Sequence, residues 1–261
     1  MNLRPAARWL AFVACVVAPP LATRTTAQEI LKPAKPTAAT PAKADEERSS
    51  PGLTHYMGRQ IAQTMHFTGA PWLTRESRNR EEEPAKLMKA LDLKPGQTVC
   101  DLGCGNGFYT LKLADAVGPT GKVFAVEIQQ EMLDMLAQRA AKTDHKNIQP
   151  ILGTVADPKV PDNSCDLVLL VDVYHEIDHP VEVLAAIRKS LTKTGRMVLV
   201  EFRTEDENVP IKPEHKMSKA QILKEIPANG FKLVRQYDDL PWQHVMYFER
   251  DEDWKGPAPK E

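Results

Sequence analysis

Val99-Cys100-Asp101-Leu102-Gly103-Cys104-Gly105-Asn106-Gly107-Phe108-Tyr109-Thr110 is the stretch on which the fold turns. It reads as a short apolar strand, an acidic turn carrying three glycines, and the opening of a helix. Glycine accepts positive φ and lets a ligand approach the backbone closely. A helix that starts behind such a turn presents unpaired N–H groups. The stretch therefore predicts a nucleotide-type site at the end of a first strand. The dinucleotide fingerprint asks for G-x-G-x-x-G; Gly103 and Gly105 fill its first two places, but Phe108 stands in the third. A phosphate loop would end in Gly-Lys-Ser/Thr, which is absent here. What remains is D-x-G-x-G-x-G, which on its own is also compatible with a plain strand–helix connection.

Working outward, residues 84–93 predict a helix opened by Pro84, and residues 98–102 the central strand. Residues 108–117 follow as a helix and 122–127 as a second strand ending in Glu127. An acidic residue at that place in a doubly wound sheet can accept hydrogens from ribose hydroxyls, and its two oxygens match a cis-diol. The other reading of Glu127 is an ordinary acid near a helix start. Residues 129–142 form a helix and 147–152 a third strand. Asp157 then follows; it is either an acceptor for an adenine amine or the start of an Asp-Pro turn.

Cys165 to Val171 is a nearly continuous apolar run, as expected of a strand buried on both faces. It ends in Asp172-Val173-Tyr174-His175-Glu176, the candidate chemical edge of the site. His175 is the first choice of general base, because its ordinary pKa lies near neutrality. Glu176 or Asp172 could orient it, and Tyr174 could react or shape the pocket. The competing role for His175 is a helix cap or a backbone hydrogen bond. His215 and His244 enter only if a lid carries them over the site. A helix from Pro180, a fifth strand at 196–201, a helix capped by Ser218 and Gln221, and a closing strand pair at 231–237 and 244–250 complete an alternating α/β pattern.

Residues 1–27 read as a signal peptide: Arg4 and Arg8 precede a ten-residue uncharged run from Trp9 to Ala18, too short to span a bilayer, and Thr25-Thr26-Ala27 suits cleavage. This predicts an exported protein, periplasmic or extracellular, whose mature chain has no stable membrane span. Residues 28–50, rich in Pro, Ala and Lys, read as a disordered linker. In residues 51–83, Leu53, Met57 and Ile61 repeat at four-residue spacing and predict a short amphipathic helix. The following Met65 to Arg75 segment makes either a lid or a packing strap anchored by a buried Trp72. The tail 251–261 is expected to fray.

The charge balance is −1, from 34 basic and 35 acidic residues, which gives no electrostatic case for nucleic acid or an acidic membrane surface. Of four cysteines, Cys15 lies in the leader; Cys100, Cys104 and Cys165 have no metal-ligand spacing and read as small buried thiols, and no metal ligands are assigned.

The motif Asp101-x-Gly103-x-Gly105-x-Gly107 resembles motif I of the class I S-adenosylmethionine-dependent methyltransferases. Residues 84–250 resemble their domain, a Rossmann-like doubly wound sheet of seven strands with the last antiparallel. Residues 52–250 resemble exported bacterial methyltransferase-like proteins, through Tyr56-Met57-Gly58-Arg59, Gly69-Ala70-Pro71-Trp72-Leu73, Val171 to Glu176, Ile211 to Met217 and Leu240-Pro241-Trp242-Gln243-His244. The resemblance implies S-adenosylmethionine as cofactor. Asp101, Gly103, Gly105 and Gly107 would cradle its methionine part, Glu127 would hold the ribose, Asp157 would lie near adenine, and Asp172 would face the sulfonium and substrate. The fourth-strand segment is not the Asn/Asp-Pro-Pro-Tyr of enzymes that methylate amino groups of DNA or protein glutamine, so a small-molecule acceptor is expected. Two other functions share the layout: cofactor binding without transfer, and nicotinamide-dependent oxidoreduction, against which Phe108 argues.

Overall fold

The computed structural model describes residues 51–256; the leader 1–27, with Cys15, the linker 28–50 and the last five residues of the tail lie outside the described residues. The chain opens with a two-strand hairpin, β1 (His55–Tyr56) and β2 (Arg59–Gln60), and two single-turn helices, α1 (Ala70–Leu73) and α2 (Arg78–Glu81). The main domain follows as α3 (Pro84–Leu91), β3 (Thr98–Leu102), α4 (Phe108–Val117), β4 (Lys122–Glu127), α5 (Gln130–Ala140), β5 (Ile148–Leu152), β6 (Cys165–Val171), α6 (Pro180–Ser190), β7 (Leu191–Phe202), α7 (Lys219–Ala228), β8 (Phe231–Tyr237) and β9 (Gln243–Arg250).

One seven-stranded sheet runs β5-β4-β3-β6-β7-β9-β8. The first five strands are parallel, and β9 lies antiparallel to both β7 and β8. The strand order reverses between β3 and β6, which leaves a crevice beyond their carboxyl ends, where ligands bind in doubly wound sheets. The alternation of side chains explains the two faces. Cys100, Val168, Leu170 and Leu199 join α6 and α7 in one core, whereas Val99, Leu167, Leu169 and Val198 join α3 and α4 in the other. The run Leu167 to Leu170 is buried on both faces, as its composition predicts. Cys100, Cys104 and Cys165 are buried free thiols.

The N-terminal extension departs from expectation. Leu53, Met57 and Ile61 do not share a helix face: Met57 and Gly58 take φ of +46° and +95° and close a hairpin that pairs His55 with Gln60. A two-residue turn with both central φ positive is the favoured hairpin connection, and here it overrides a weak four-residue period. Trp72 is not a buried anchor. It is 47% exposed and lies under the Arg75 guanidinium, 3.6 Å from its ring centre. The extension instead straps across the carboxyl ends of the strands by backbone bonds: Leu53 N–H to Asp178 O (2.9 Å) and Ala62 N–H to His175 O (3.1 Å). Phe67 N–H and Met65 O bond the Gln129 amide at 2.8 and 2.9 Å. At the other end of the chain, Trp254 packs against Gly230, so the tail is held at least that far. Ser218 Oγ caps α7 by accepting from Gln221 N–H at 3.1 Å, but the Gln221 side chain turns to Met57 O and Glu225 rather than completing a capping box.

Candidate active site

Beneath the strap lies a cavity of about 770 Å³ at the crevice between β3 and β6. Its floor is the glycine turn. Gly103 and Gly105 line it, at φ of +73° and +52°. A Cβ on Gly103 would stand 2.6 Å from Val173 Cγ2, and one on Gly105 2.6 Å from Leu73 Cδ1. Gly107 does not line the cavity. It precedes α4 at φ +82°, and a Cβ there would meet Leu136 Cδ1 at 2.2 Å, so it serves the packing of α5 against the turn. Phe108, in the place of a third fingerprint glycine, lies 4.2 Å beneath the Arg78 guanidinium.

Asp101 sits behind the turn rather than in the cavity. It is buried and accepts from Thr110 Oγ1 at 2.6 Å. Burial pushes its carboxyl up to about 6, against the opposing pull of the Thr110 hydroxyl and of Arg78. A carboxyl with a folded pKa above its unfolded one contributes stability that is complete below about pH 4 and lost as pH rises through about 6. Asp101→Asn keeps an acceptor for Thr110. It is expected to exceed the parent by about 1–3 kcal/mol at pH 7 and to approach it near pH 4. Urea midpoints across that range measure this, and a gap independent of pH would refute it.

Glu127 lines the cavity from the end of β4. Oε1 accepts from Ile128 N–H (2.7 Å) and Gln129 N–H (3.0 Å), and Oε2 from Gly105 N–H (3.0 Å). Burial raises its pKa against these three bonds. A carboxylate has about four lone-pair sites, so the backbone fills Oε1 and leaves one site on Oε2. That is less than the free two-oxygen grip that strand position alone suggests. Asp157 is not brought into the cavity: it is exposed and accepts from Lys159 N–H at 2.8 Å in its own turn. Its neighbours Thr154, Val155 and Pro158 line the wall instead.

Asp172 directly follows β6 at φ +54° and lines the cavity. Oδ2 accepts from Gln243 Nε2 at 2.7 Å, while the buried Oδ1 has no hydrogen-bond partner among the described residues. Burial, with Glu82 and Glu201 nearby, drives its carboxyl well above the usual range. Arg78 and Glu82 of the extension also face this wall, paired at 2.6 Å, with Arg75 adding a second bond to Glu82 at 2.8 Å.

The segment after Asp172 divides. Tyr174 is fully buried and donates to Glu225 Oε2 at 2.8 Å, with Arg59 over its ring; it does not reach the cavity. His175 and Glu176 do line the cavity, and His215 joins them from the turn Pro213–His215. The group that orients His175 is neither Glu176 nor Asp172 but Glu201 of β7, with Oε2 at 2.6 Å from His175 Nδ1. Burial alone would lower the His175 pKa; the charge and hydrogen bond of Glu201 outweigh it and raise the value. Burial pushes Glu176 up to about 7, against the pull of His175. His244 pairs in register with Glu201 but is buried outside the cavity; neither ring nitrogen is hydrogen-bonded among the described residues, and Nδ1 lies 4.0 Å from Glu205 Oε2.

A parallel sheet with one antiparallel closing strand, a three-glycine turn at the switch point and an acid at the end of the next strand define the Rossmann-like methyltransferase class. The chain belongs to the class I S-adenosylmethionine-dependent methyltransferases, the family model described as a methyltransferase domain matching residues 93–251. A protein of transposon TN4556 from Streptomyces fradiae is 32% identical over 115 residues, 44% of this chain and 33% of that one. The demethylmenaquinone methyltransferase of Bacillus mycoides is 27% identical over 116 residues, 44% of this chain and 49% of its own length. The chain thus spans between a third and a half of these curated relatives. Among solved structures, a SAM-dependent methyltransferase from Aquifex aeolicus shares the fold with a TM-score of 0.67 at 24% identity, over 71% of this chain and 98% of that one. Among the described residues no helix is long and apolar enough to cross a membrane.

Proposed function

We propose that this chain transfers a methyl group from S-adenosylmethionine to a small-molecule acceptor bound in the same cavity. The observation that carries the reading is the orphaned Oδ1 of Asp172, buried in the wall of a glycine-floored cavity at the switch point. A buried carboxyl oxygen without a partner is costly, and the cationic amino acid end of the cofactor supplies one while favouring the ionised form. The rest of the lining agrees. Gly103 and Gly105 leave room for close approach to the backbone, the open site on Glu127 Oε2 suits a ribose hydroxyl, and Ile128, Val155 and Pro158 offer an apolar wall to a base. A volume of about 770 Å³ lies within the range of small-ligand pockets.

When bound, the cofactor supplies a methyl group already activated by the positive sulfur. The chain's task is then alignment, which can account for most of the acceleration. His175, Glu176 and His215 form the acceptor end. With Nδ1 donating to Glu201 Oε2 at 2.6 Å, the His175 Nε2 lone pair faces His215 Nδ1, 3.1 Å away in the cavity wall. Tyr174 and Asp101 act from behind, as supports.

Calorimetric titration with S-adenosylmethionine, S-adenosylhomocysteine and NAD in parallel tests this. Micromolar binding of the first two and none of the third is expected. Binding of neither sulfur nucleoside would sink the proposal, and NAD binding in their place would revive the oxidoreductase. Tritiated methyl transfer into small-molecule extracts then separates a transferase from a binding protein.

A further inference from the structure

We propose that His175, Glu176 and His215 hold one divalent transition-metal ion, with an open coordination position facing the cavity. His175 Nε2 lies 3.1 Å from His215 Nδ1, and Glu176 Oε1 lies 3.8 and 3.7 Å from those two atoms. An ion bound tetrahedrally at about 2.0–2.2 Å has ligand–ligand edges of roughly 3.3–3.6 Å. The observed triangle therefore accepts one ion with shifts of a few tenths of an ångström.

Three further observations favour it. Glu201, fully buried, holds the outer nitrogen of His175 at 2.6 Å, the arrangement that fixes ring and tautomer in carboxylate–histidine–metal sites. The turn carrying His175 is itself pinned, since its carbonyl accepts from Arg59 Nη1 (3.0 Å) and Ala62 N–H (3.1 Å). All three donors line the cavity, so the position left over opens into it. Two imidazoles and a carboxylate suit zinc, cobalt or ferrous iron rather than magnesium or calcium. Three protein ligands with a vacant fourth place is the pattern of catalytic rather than structural zinc.

Resting on the proposed methyl transfer, the site specifies the acceptor class: a hydroxyl or thiol that binds the ion as an anion. Its O–H or S–H proton leaves to solvent. The oxygen or sulfur keeps that electron pair and forms the bond to the methyl carbon, as the carbon–sulfur bond of the cofactor breaks with its pair going to sulfur.

The test uses the purified full chain, stripped with chelator and titrated with Co²⁺ alone. One equivalent is expected, with the visible absorption of a four-coordinate cobalt centre. His215→Ala should abolish it and Glu201→Gln should weaken it by about 10–100-fold. His145→Ala, whose ring pairs with Asp115 elsewhere, should retain it. No cobalt binding by the parent, or equal binding by His215→Ala, would overturn the site. S-adenosylhomocysteine titrated in the presence of chelator is the separate arm: its failure removes the methyltransferase reading and the acceptor class, while cobalt binding stands or falls by itself.

Discussion

Gly105→Arg is expected to lose S-adenosylhomocysteine binding completely, while Gly105→Ala keeps part of it. Two costs explain the split. At φ +52° any side chain is strained, and the first carbon already stands 2.6 Å from Leu73 Cδ1. The Leu73 contact is with the end of a flexible side chain that lines the cavity, so alanine can displace it into the cavity and weaken binding roughly tenfold. The φ strain of about 1–2 kcal/mol falls on stability. Arginine goes further. Gly105 donates its N–H to Glu127 Oε2, so the guanidinium is placed to pair with that carboxylate and fill the floor of the cavity. Calorimetry on both variants, with circular dichroism to show that each folds, measures the difference. Parent-like affinity in the arginine variant would mean that the cofactor does not lie over this turn.

Arg78→Ala should be the most destabilising single change in the extension. Arg78 is 5% exposed, bonds Glu82 at 2.6 Å and Leu73 O at 2.8 Å, and stacks on Phe108. Burial opposes its charge, yet Glu82, Tyr109 and Asp172 together hold its pKa above the ordinary value. Removing one partner of a buried pair typically costs about 3–5 kcal/mol. Because Arg75 still faces Glu82 at 2.8 Å, the lower end, about 3 kcal/mol, is expected. Arg78→Lys keeps the charge but not the planar fork, and should fall between. Urea unfolding reads both; a loss below about 1 kcal/mol for the alanine variant would show that the pair is not sustaining the extension.

Much of the domain was legible because β6 is a nearly continuous apolar run, β3 and β4 carry apolar centres, and the longer helices have periodic apolar positions. Residues 108–117 and 165–171 coincide with α4 and β6. Glu127 and Asp172 were legible for the same reason: a polar residue closing an apolar strand marks the sheet edge. Glu201 follows the apolar run Met197 to Val200 near the end of β7 in a similar way, and that signal could have found it. What stayed hidden depends on pairing at a distance. Nothing local tells that Glu201 meets His175, that Gln243 meets Asp172, or that His215 reaches the cavity across 40 positions. Tyr174 and His175 are neighbours in sequence, yet one enters the core and the other the cavity, because the short turn Tyr174–Glu176 sends successive side chains apart. Asp157 shows the reverse case: a local Asp-Pro preference prevailed over a ligand role.

The strap over the cavity also dictates an order of assembly. Its anchors are far ahead in the chain: Arg59 waits 116 residues for the His175 carbonyl and 166 for Glu225, and Phe67 waits 62 for Gln129. The strap is made before every one of these partners, and closing so long a loop is favourable only once the sheet supplies its acceptors. A nascent chain carries both cavity-lining glycines before the last partner of their roof has been made. The anchoring of that roof is complete only once α7, which carries Glu225, has been made.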